Sequence, residues 1–383
     1  MFGLTPEQLM LRDTVRDYAR VEILPRVAER DRSGTFPDEE IRAAAETGLM
    51  GLAVPEEYGG YELDAVTTAI VYEEVSRASA AVSVILSVHN SLVAGATTLF
   101  GSEVVRERYL PLLASGGLLG AYCLTESDAG SDAGSITTRA VLEGDHYHLT
   151  GRKLFVTSGA HAGVYVVFAV TDPGASKSRR ISAFLVDRDT DGLSVSPKEE
   201  KLGLLASEIN EVVFEDCAVP TENLLGEAGG GFGIALTLLN AGRIGIASQA
   251  VGIAQAALDA SLNYAVSREQ FGRPIADFQA IQWKLADMAT QVDAARLLVR
   301  HAAAMKDAGE EFGRQAAQAK LFASELCSRA ASDAIQIHGG YGYIRDYGVE
   351  RLYRDAKATE LYEGTSEIQR MVIARALLAD VQG

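Results

Sequence analysis

Between about residues 136 and 214 the chain is a run of short apolar segments with turn punctuation and no helical stretch between them. Segments 136–143 and 146–150 flank Gly144-Asp145, a hairpin signal, and 153–157, 164–171, 181–186, 193–197 and 211–214 follow at barrel-like spacing. Strands that succeed one another without crossover helices do not build a parallel βαβ domain. On both sides the periodicity is helical. Upstream, Thr5-Pro6-Glu7-Gln8 is a capping box with proline at the first helical position, and Leu11, Val15 and Tyr18 lie on one stripe. Further helices are expected over 38–47, 65–78 and 80–99, and downstream over 232–265, 277–306, 312–338 and 366–379. The order α, then β, then α predicts an α+β multidomain chain. An N-terminal α-helical domain spans 1–118, a central β-barrel or sandwich domain 119–228, and a C-terminal four-helix bundle 229–383.

Composition narrows the class. With 48% hydrophobic and 23% charged residues, the 383-residue chain is an ordinary globular protein and not a disordered one. Its net charge of −17 repels nucleic-acid backbones and anionic lipid, so no nucleic-acid or membrane partner is expected. An anionic ligand must then be held by local Arg, backbone N–H groups or helix N-termini. No uninterrupted apolar run approaches membrane-spanning length, and the first residues lack a signal-peptide pattern. Cys123, Cys217 and Cys327 are far apart and odd in number, which suits reduced structural thiols. The expected location is cytoplasmic.

Several generic motifs fail. Gly229-Gly230-Gly231-Phe232-Gly233 precedes a helix, but no strand feeds it, so a nicotinamide Rossmann site is not expected. There is no G-x-S-x-G elbow. His146 and His148 would share a strand face with no third ligand nearby, and no metal is expected.

Other segments are unusual for a purely structural protein. Tyr122 to Asp132 packs small and hydroxyl residues at the entrance to the β region, offering N–H groups to a phosphate or planar ring, as any Ser/Gly/Asp loop would. Lys153 to Gly159 alternates an aromatic and a threonine on one face, also the pattern of a plain half-buried strand. Arg268 to Ile275 sets two guanidiniums beside a glycine, which suits a phosphate or a solvated turn. Gln336 to Tyr343 contains paired glycines, either a helix stop or a close backbone approach. In Tyr362-Glu363-Gly364-Thr365-Ser366-Glu367-Ile368-Gln369-Arg370, Ser366 and Gln369 form a second capping box. Glu363 precedes that helix N-terminus, where a carboxylate satisfies the dipole or is aimed into a cavity.

In this order, over nearly the whole chain, these segments resemble the acyl-CoA dehydrogenase family, with YEGTSEIQR, REQFGRPI and the spaced TE-x-x-AGSD the most specific. The segment 242–249 and the C-terminal helices are most similar to the short-chain, butyryl-type members. The resemblance implies FAD between the β domain and the C-terminal bundle. It places Tyr122, Leu124, Thr125, Gly130, Ser131, Phe155, Thr157, Thr365 and Glu367 at the flavin. It places Arg268, Phe271, Gln279, Gln336, Gly339 and Gly340 at the FAD of a neighbouring subunit, implying a homotetramer built from dimers. Ser131, Asn240, Arg243, Tyr362 and Gly364 match positions lining the acyl-CoA site, and Glu363 matches the catalytic base. The family's other placement of the base corresponds to Gly242, which has no carboxylate.

The implied reaction is FAD-dependent α,β-dehydrogenation of short, straight or branched acyl-CoA to the trans-2-enoyl-CoA. Electrons then pass to electron-transfer flavoprotein. The backbone N–H of Glu363 would hold the thioester oxygen as enolate charge develops. Oxygen-using flavoenzymes of the same fold, and a non-catalytic helical binding protein, are the alternatives. Three positions depart from the family pattern: Phe155 stands where Trp is usual, Ser127-Asp128 where Pro-Gly is usual, and Asn240 where Asp is common.

Overall fold

The first helix starts as its sequence dictates. In a computed structural model that describes residues 3–382, Gln8 N donates to Thr5 Oγ1 at 3.2 Å and Thr5 N donates back to Gln8 Oε1 at 3.1 Å. Seven α-helices make the N-terminal part: α1 (Pro6–Tyr18), α2 (Val27–Ser33), α3 (Asp38–Glu46), α4 (Ala65–Ala78), α5 (Ala80–Ser87), α6 (Gly95–Phe100) and α7 (Glu103–Ala114). A π-helical stretch, Val88–Ala94, joins α5 to α6 where one helix over 80–99 is expected. α2 escapes the sequence reading because its only buried residue is an acid, Asp31, which Arg354 holds with two hydrogen bonds of 3.0 and 2.5 Å.

The β region is one eight-stranded mixed sheet of β1 (Gly120–Cys123), β2 (Arg139–Glu143), β3 (His146–Thr157), β4 (Val164–Val170), β5 (Ile181–Asp187), β6 (Leu193–Val195), β7 (Ile209–Pro220) and β8 (Leu224–Leu225). The order is β6-β7-β3-β2-β4-β5-β8, and β1 pairs parallel with β4. β2 and β3 form the expected hairpin around Gly144-Asp145. The expected strands 146–150 and 153–157 are one strand. Gly151 is where it bulges against β7, because a Cβ there would sit 2.4 Å from Thr138 Oγ1. β4 is buried on both faces: Val164, Val166, Phe168 and Val170 join the core shared with the helices, while Tyr165, Val167 and Ala169 pack into a second cluster.

The C-terminal helices are α8 (Gly231–Ser267), α9 (Gln279–Asp307), α10 (Gly313–His338), α11 (Val349–Thr359) and α12 (Ser366–Gln382). α11 has a clear stripe in Val349, Leu352 and Ala356, but it is short and follows the Gly/Tyr-rich stretch after α10, which hides it. One hydrophobic core runs from α4 and α5 through the sheet to α8, α9 and α10. Two helical stretches, Ala80–Phe100 and Gly231–Ser267, are long and apolar enough to cross a bilayer, contrary to the sequence expectation. Their apolar windows are 89% and 72% buried inside the protein, as core helices are.

This packing sets where the site lies. Val93 presses on β1 so closely that a Cβ on Gly120 would stand 2.4 Å from it. The buried His89 accepts from Gly120 N at 3.1 Å through Nδ1, so its Nε2 is the donor to the carbonyls of Met50 and Leu113. Burial pushes the His89 pKa down to about 4, keeping the ring neutral. Tyr122, two residues along β1, is thereby fixed against the helices.

Candidate active site

Glu363 sits on the turn between α11 and α12 with φ +50°, a left-handed conformation that a non-glycine residue adopts only when its surroundings enforce it. Both carboxylate oxygens are buried and neither has a hydrogen-bond partner among the described residues. The carboxylate points at α8: a Cβ on Gly242 would lie 2.1 Å from Glu363 Oε2. The absent side chain of residue 242 is therefore what makes room for the acid. The two positions that the resemblance offers for a base therefore adjoin in space.

The turn is clamped from two sides. Gln369 Nε2 donates to Gly364 O at 2.8 Å and to Glu363 O at 3.3 Å, and Lys320 Nζ donates to Gly364 O at 2.7 Å. The expected cap is thereby corrected. The Thr365 hydroxyl, not Ser366, accepts from the first turn of α12 (Ile368 N, 3.4 Å), and Gln369 is spent on the Glu363–Gly364 turn. Gly364 suits the turn, since its φ is +95° and a Cβ would meet Gln369 Nε2 at 2.8 Å. Tyr362 donates its hydroxyl to Gln249 on α8, and Arg243 Nη1 donates to Asn240 Oδ1.

Burial raises the Glu363 pKa and the charges of Lys320 and Arg243 pull it back, leaving it at about 7. That is the range a general base at neutral pH requires. Burial also lowers Arg243, and brings Lys320 down to about 8 against the opposing pull of Glu363.

Of the residues expected at a flavin, Tyr122 lies within electrostatic reach of this acid. The Tyr122 phenol is buried without a partner. Leu124 is buried, and Thr125 O accepts from Leu154 N at 2.9 Å, tying the loop to β3. Gly130 and Ser131 are exposed, with open space around Gly130. Phe155 lies in the β3–β7 register shift between Lys153 and Val156, with φ +56°, which turns its ring outward to 62% exposure. Thr157 ends the same strand. An exposed ring on the strand tied to the 122–125 segment, and a phenol without a partner among the described residues within electrostatic reach of the Glu363 carboxylate, suit a planar cofactor and an acyl ligand. Glu367 is exposed on the first turn of α12.

The remaining expected residues form a separate cluster. Arg268, Gly339 and Gly340 line a cleft of about 430 Å³ with Tyr264, His338 and Tyr341. The Arg268 guanidinium lies 5.5 Å from the Tyr341 ring centroid. Phe271, 93% exposed with φ +54°, packs edge-on to Phe278, and Gln279 and Gln336 are exposed at neighbouring helix ends. Arg268 caps the far end of α8 from Gly242, roughly 40 Å away at 1.5 Å per residue. This cluster does not serve the Glu363 of its own chain.

Sequence reasoning missed Lys320, Gln249 and the buried pair Glu126–Lys153. Lys320 had a readable signal, a lone cation on the stripe Ala316, Ala319, Ala323 and Cys327 that α10 buries.

Family models match along the chain: the acyl-CoA dehydrogenase N-terminal domain over residues 5–117, its middle domain over 121–217 and its C-terminal domain over 229–378. The chain belongs to the acyl-CoA dehydrogenase family. Among its relatives, an acyl-CoA dehydrogenase of Bacillus subtilis (strain 168) is 51% identical over 98% of this chain and 99% of its own. The butyryl-CoA dehydrogenase of Megasphaera elsdenii superposes with a TM-score of 0.97 at 42% identity, covering 99% of this chain and 100% of that one. A chain of the structure described as electron transferring flavoprotein of Acidaminococcus fermentans also reaches 0.97, at 45% identity and 99% coverage of each.

Proposed function

We propose that this protein is an FAD-dependent dehydrogenase of short acyl-CoA thioesters, with Glu363 as the base that takes the α-proton. The observation that carries this reading is the buried, unpartnered Glu363 carboxylate held on a left-handed turn opposite Gly242. The 122–131 loop, Phe155 and Thr157 would hold FAD, which would supply a hydride acceptor at the β-carbon. The protein's own groups do the rest. The N–H of Glu363 donates to the thioester oxygen as negative charge develops there, and the carboxylate removes the α-proton. Asn240, Arg243, Tyr362, Gly364 and Ser131 line the acyl-CoA path. An acyl chain that fills this space expels water and strengthens each of these contacts.

The likeness to the Megasphaera enzyme supports a short acyl chain. The likeness to the Acidaminococcus chain supports electron-transfer flavoprotein as the electron acceptor. The protein is proposed to work in the cytoplasm. Purified protein is expected to be yellow with about one FAD per chain, and anaerobic butyryl-CoA should bleach the flavin band. Acyl chains of four or five carbons should be preferred over eight, each misfit methylene costing about 1–3 kcal/mol. A colourless protein that stays inactive with added FAD would overturn the reading. Reoxidation by oxygen as fast as by electron-transfer flavoprotein would point to the oxidase alternative.

The cleft at Arg268 is proposed to hold part of a second copy's FAD, within a homotetramer. What binds only the assembled form stabilises it. Arg268→Ala should therefore release FAD more readily, and more so on dilution, as measured by flavin fluorescence after gel filtration. Retention of FAD by a stable monomer would contradict this.

A further inference from the structure

We propose that Lys320 is a positioning residue for the base: its ammonium, bonded to the Gly364 carbonyl, fixes the turn that carries Glu363 and supplies the buried positive charge that keeps the carboxylate ionised. The proposal rests on Glu363 being the base. Lys320 is wholly buried, on the face of α10 otherwise made of Ala316, Ala319, Ala323 and Ser324. A buried ammonium is costly to keep unless something repays its lost hydration. Its Nζ donates to Gly364 O at 2.7 Å, one residue past Glu363, so the charge sits at the turn itself.

The surroundings single out Lys320. Lys320 from α10 and Arg243 from α8 act on Glu363, whose charge in turn acts on Tyr72 from α4, Tyr122 from β1 and its own neighbour Tyr362. The tyrosines carry no charge at neutral pH, and burial raises all three. Of the two cations, Arg243 shares its guanidinium with Asn240 beside the acyl-CoA path. Lys320, with none of its surface exposed, is bonded to the turn's own carbonyl. Glu360 and Glu367 also act on Lys320, but Glu360 is engaged by Lys357 at 2.7 Å and by Ser328, and Glu367 is exposed. Glu363 is the acid whose charge acts most on the ammonium.

Removing the ammonium takes away a charge that pulls the Glu363 pKa down. The carboxylate then holds its proton to higher pH, and less of it is a base at neutrality. The test follows flavin bleaching by butyryl-CoA at limiting concentration between pH 6 and 9.5 in the FAD-loaded enzyme. The acid limb of Lys320→Met should move up by about one pH unit, making it roughly fivefold slower at pH 7. The gap should close above about pH 9, where the parent Lys320 has shed its own proton. Lys320→Arg should restore the parent limb.

A uniform slowing with the limb unmoved would overturn the proposal, leaving Lys320 a structural strut. Bleaching that survives Glu363→Gln would instead overturn the base assignment, a distinguishable result. If Lys320→Met alone does not fold, its melting temperature is compared in the Glu363→Gln background. A smaller loss there than for the milder Lys320→Gln in the parent supports the pairing, and an equal or larger loss refutes it.

Discussion

Glu363→Gln is expected to slow flavin reduction by butyryl-CoA about 10²–10⁴-fold, the range a positioned general base contributes. Glutamine keeps the shape of the side chain and the hydrogen bonds from Gln369 and Lys320 to the turn, which go to backbone carbonyls and not to the carboxylate. FAD content and ligand affinity should therefore stay near the parent's, isolating the loss to proton transfer. In the parent the rate should rise as pH passes about 7, because the base works only without its proton. The double variant Glu363→Gly with Gly242→Glu puts a carboxylate on α8 beside the space that Glu363 vacates, since a Cβ at 242 adjoins Oε2. It should recover part of the rate with a changed chain preference. Near-normal bleaching by Glu363→Gln would show that another group takes the proton.

How far the site can be read from the sequence follows from where its physics lies. The proposed base, the proposed flavin loop and the β3 strand sit in local segments of unusual composition, which is what singles them out in the sequence. Their geometry is not legible there. Nothing near Glu363 in sequence says that a glycine on α8 leaves it space, because that contact joins residues 121 positions apart. The left-handed φ of Phe155 comes from a register shift against β7, decided by sheet pairing and not by residues 153–157 alone. The capping box at Ser366 failed for a local reason: the carbonyls of Glu363 and Gly364, six and five residues back, competed for the Gln369 amide and won. α2 was invisible because an ion pair to α11, and not an apolar stripe, holds it down. Helices with a long apolar face, such as α8 and α10, declared themselves from end to end.

A second large effect lies under the flavin loop. Lys153, with none of its surface exposed, donates to Glu126 Oε1 at 2.8 Å and to Leu124 O at 3.1 Å. Glu126 also accepts from Thr137 N at 2.6 Å, Thr137 Oγ1 at 2.7 Å and Thr138 N at 3.0 Å. Burial raises the Glu126 carboxyl, but the Lys153 charge and these hydrogen bonds outweigh it and hold the pKa at about 2. In the parent this pair therefore contributes stability above the ordinary carboxylate range near pH 4, lost as pH falls toward 2. Lys153→Met leaves the carboxylate buried and uncompensated, which costs about 3–5 kcal/mol at pH 7. The difference between variant and parent should narrow on acidification toward pH 4, where a proton replaces the missing lysine. Adding Glu126→Gln should cost less than the two single losses summed, because the buried charge goes with its partner. FAD retention should fall with stability, since Leu124 O and Glu126, on either side of Thr125, lose their anchor together. A loss under about 1 kcal/mol in thermal unfolding at pH 7 would place the pair with ordinary exposed salt bridges and refute its role beneath the loop.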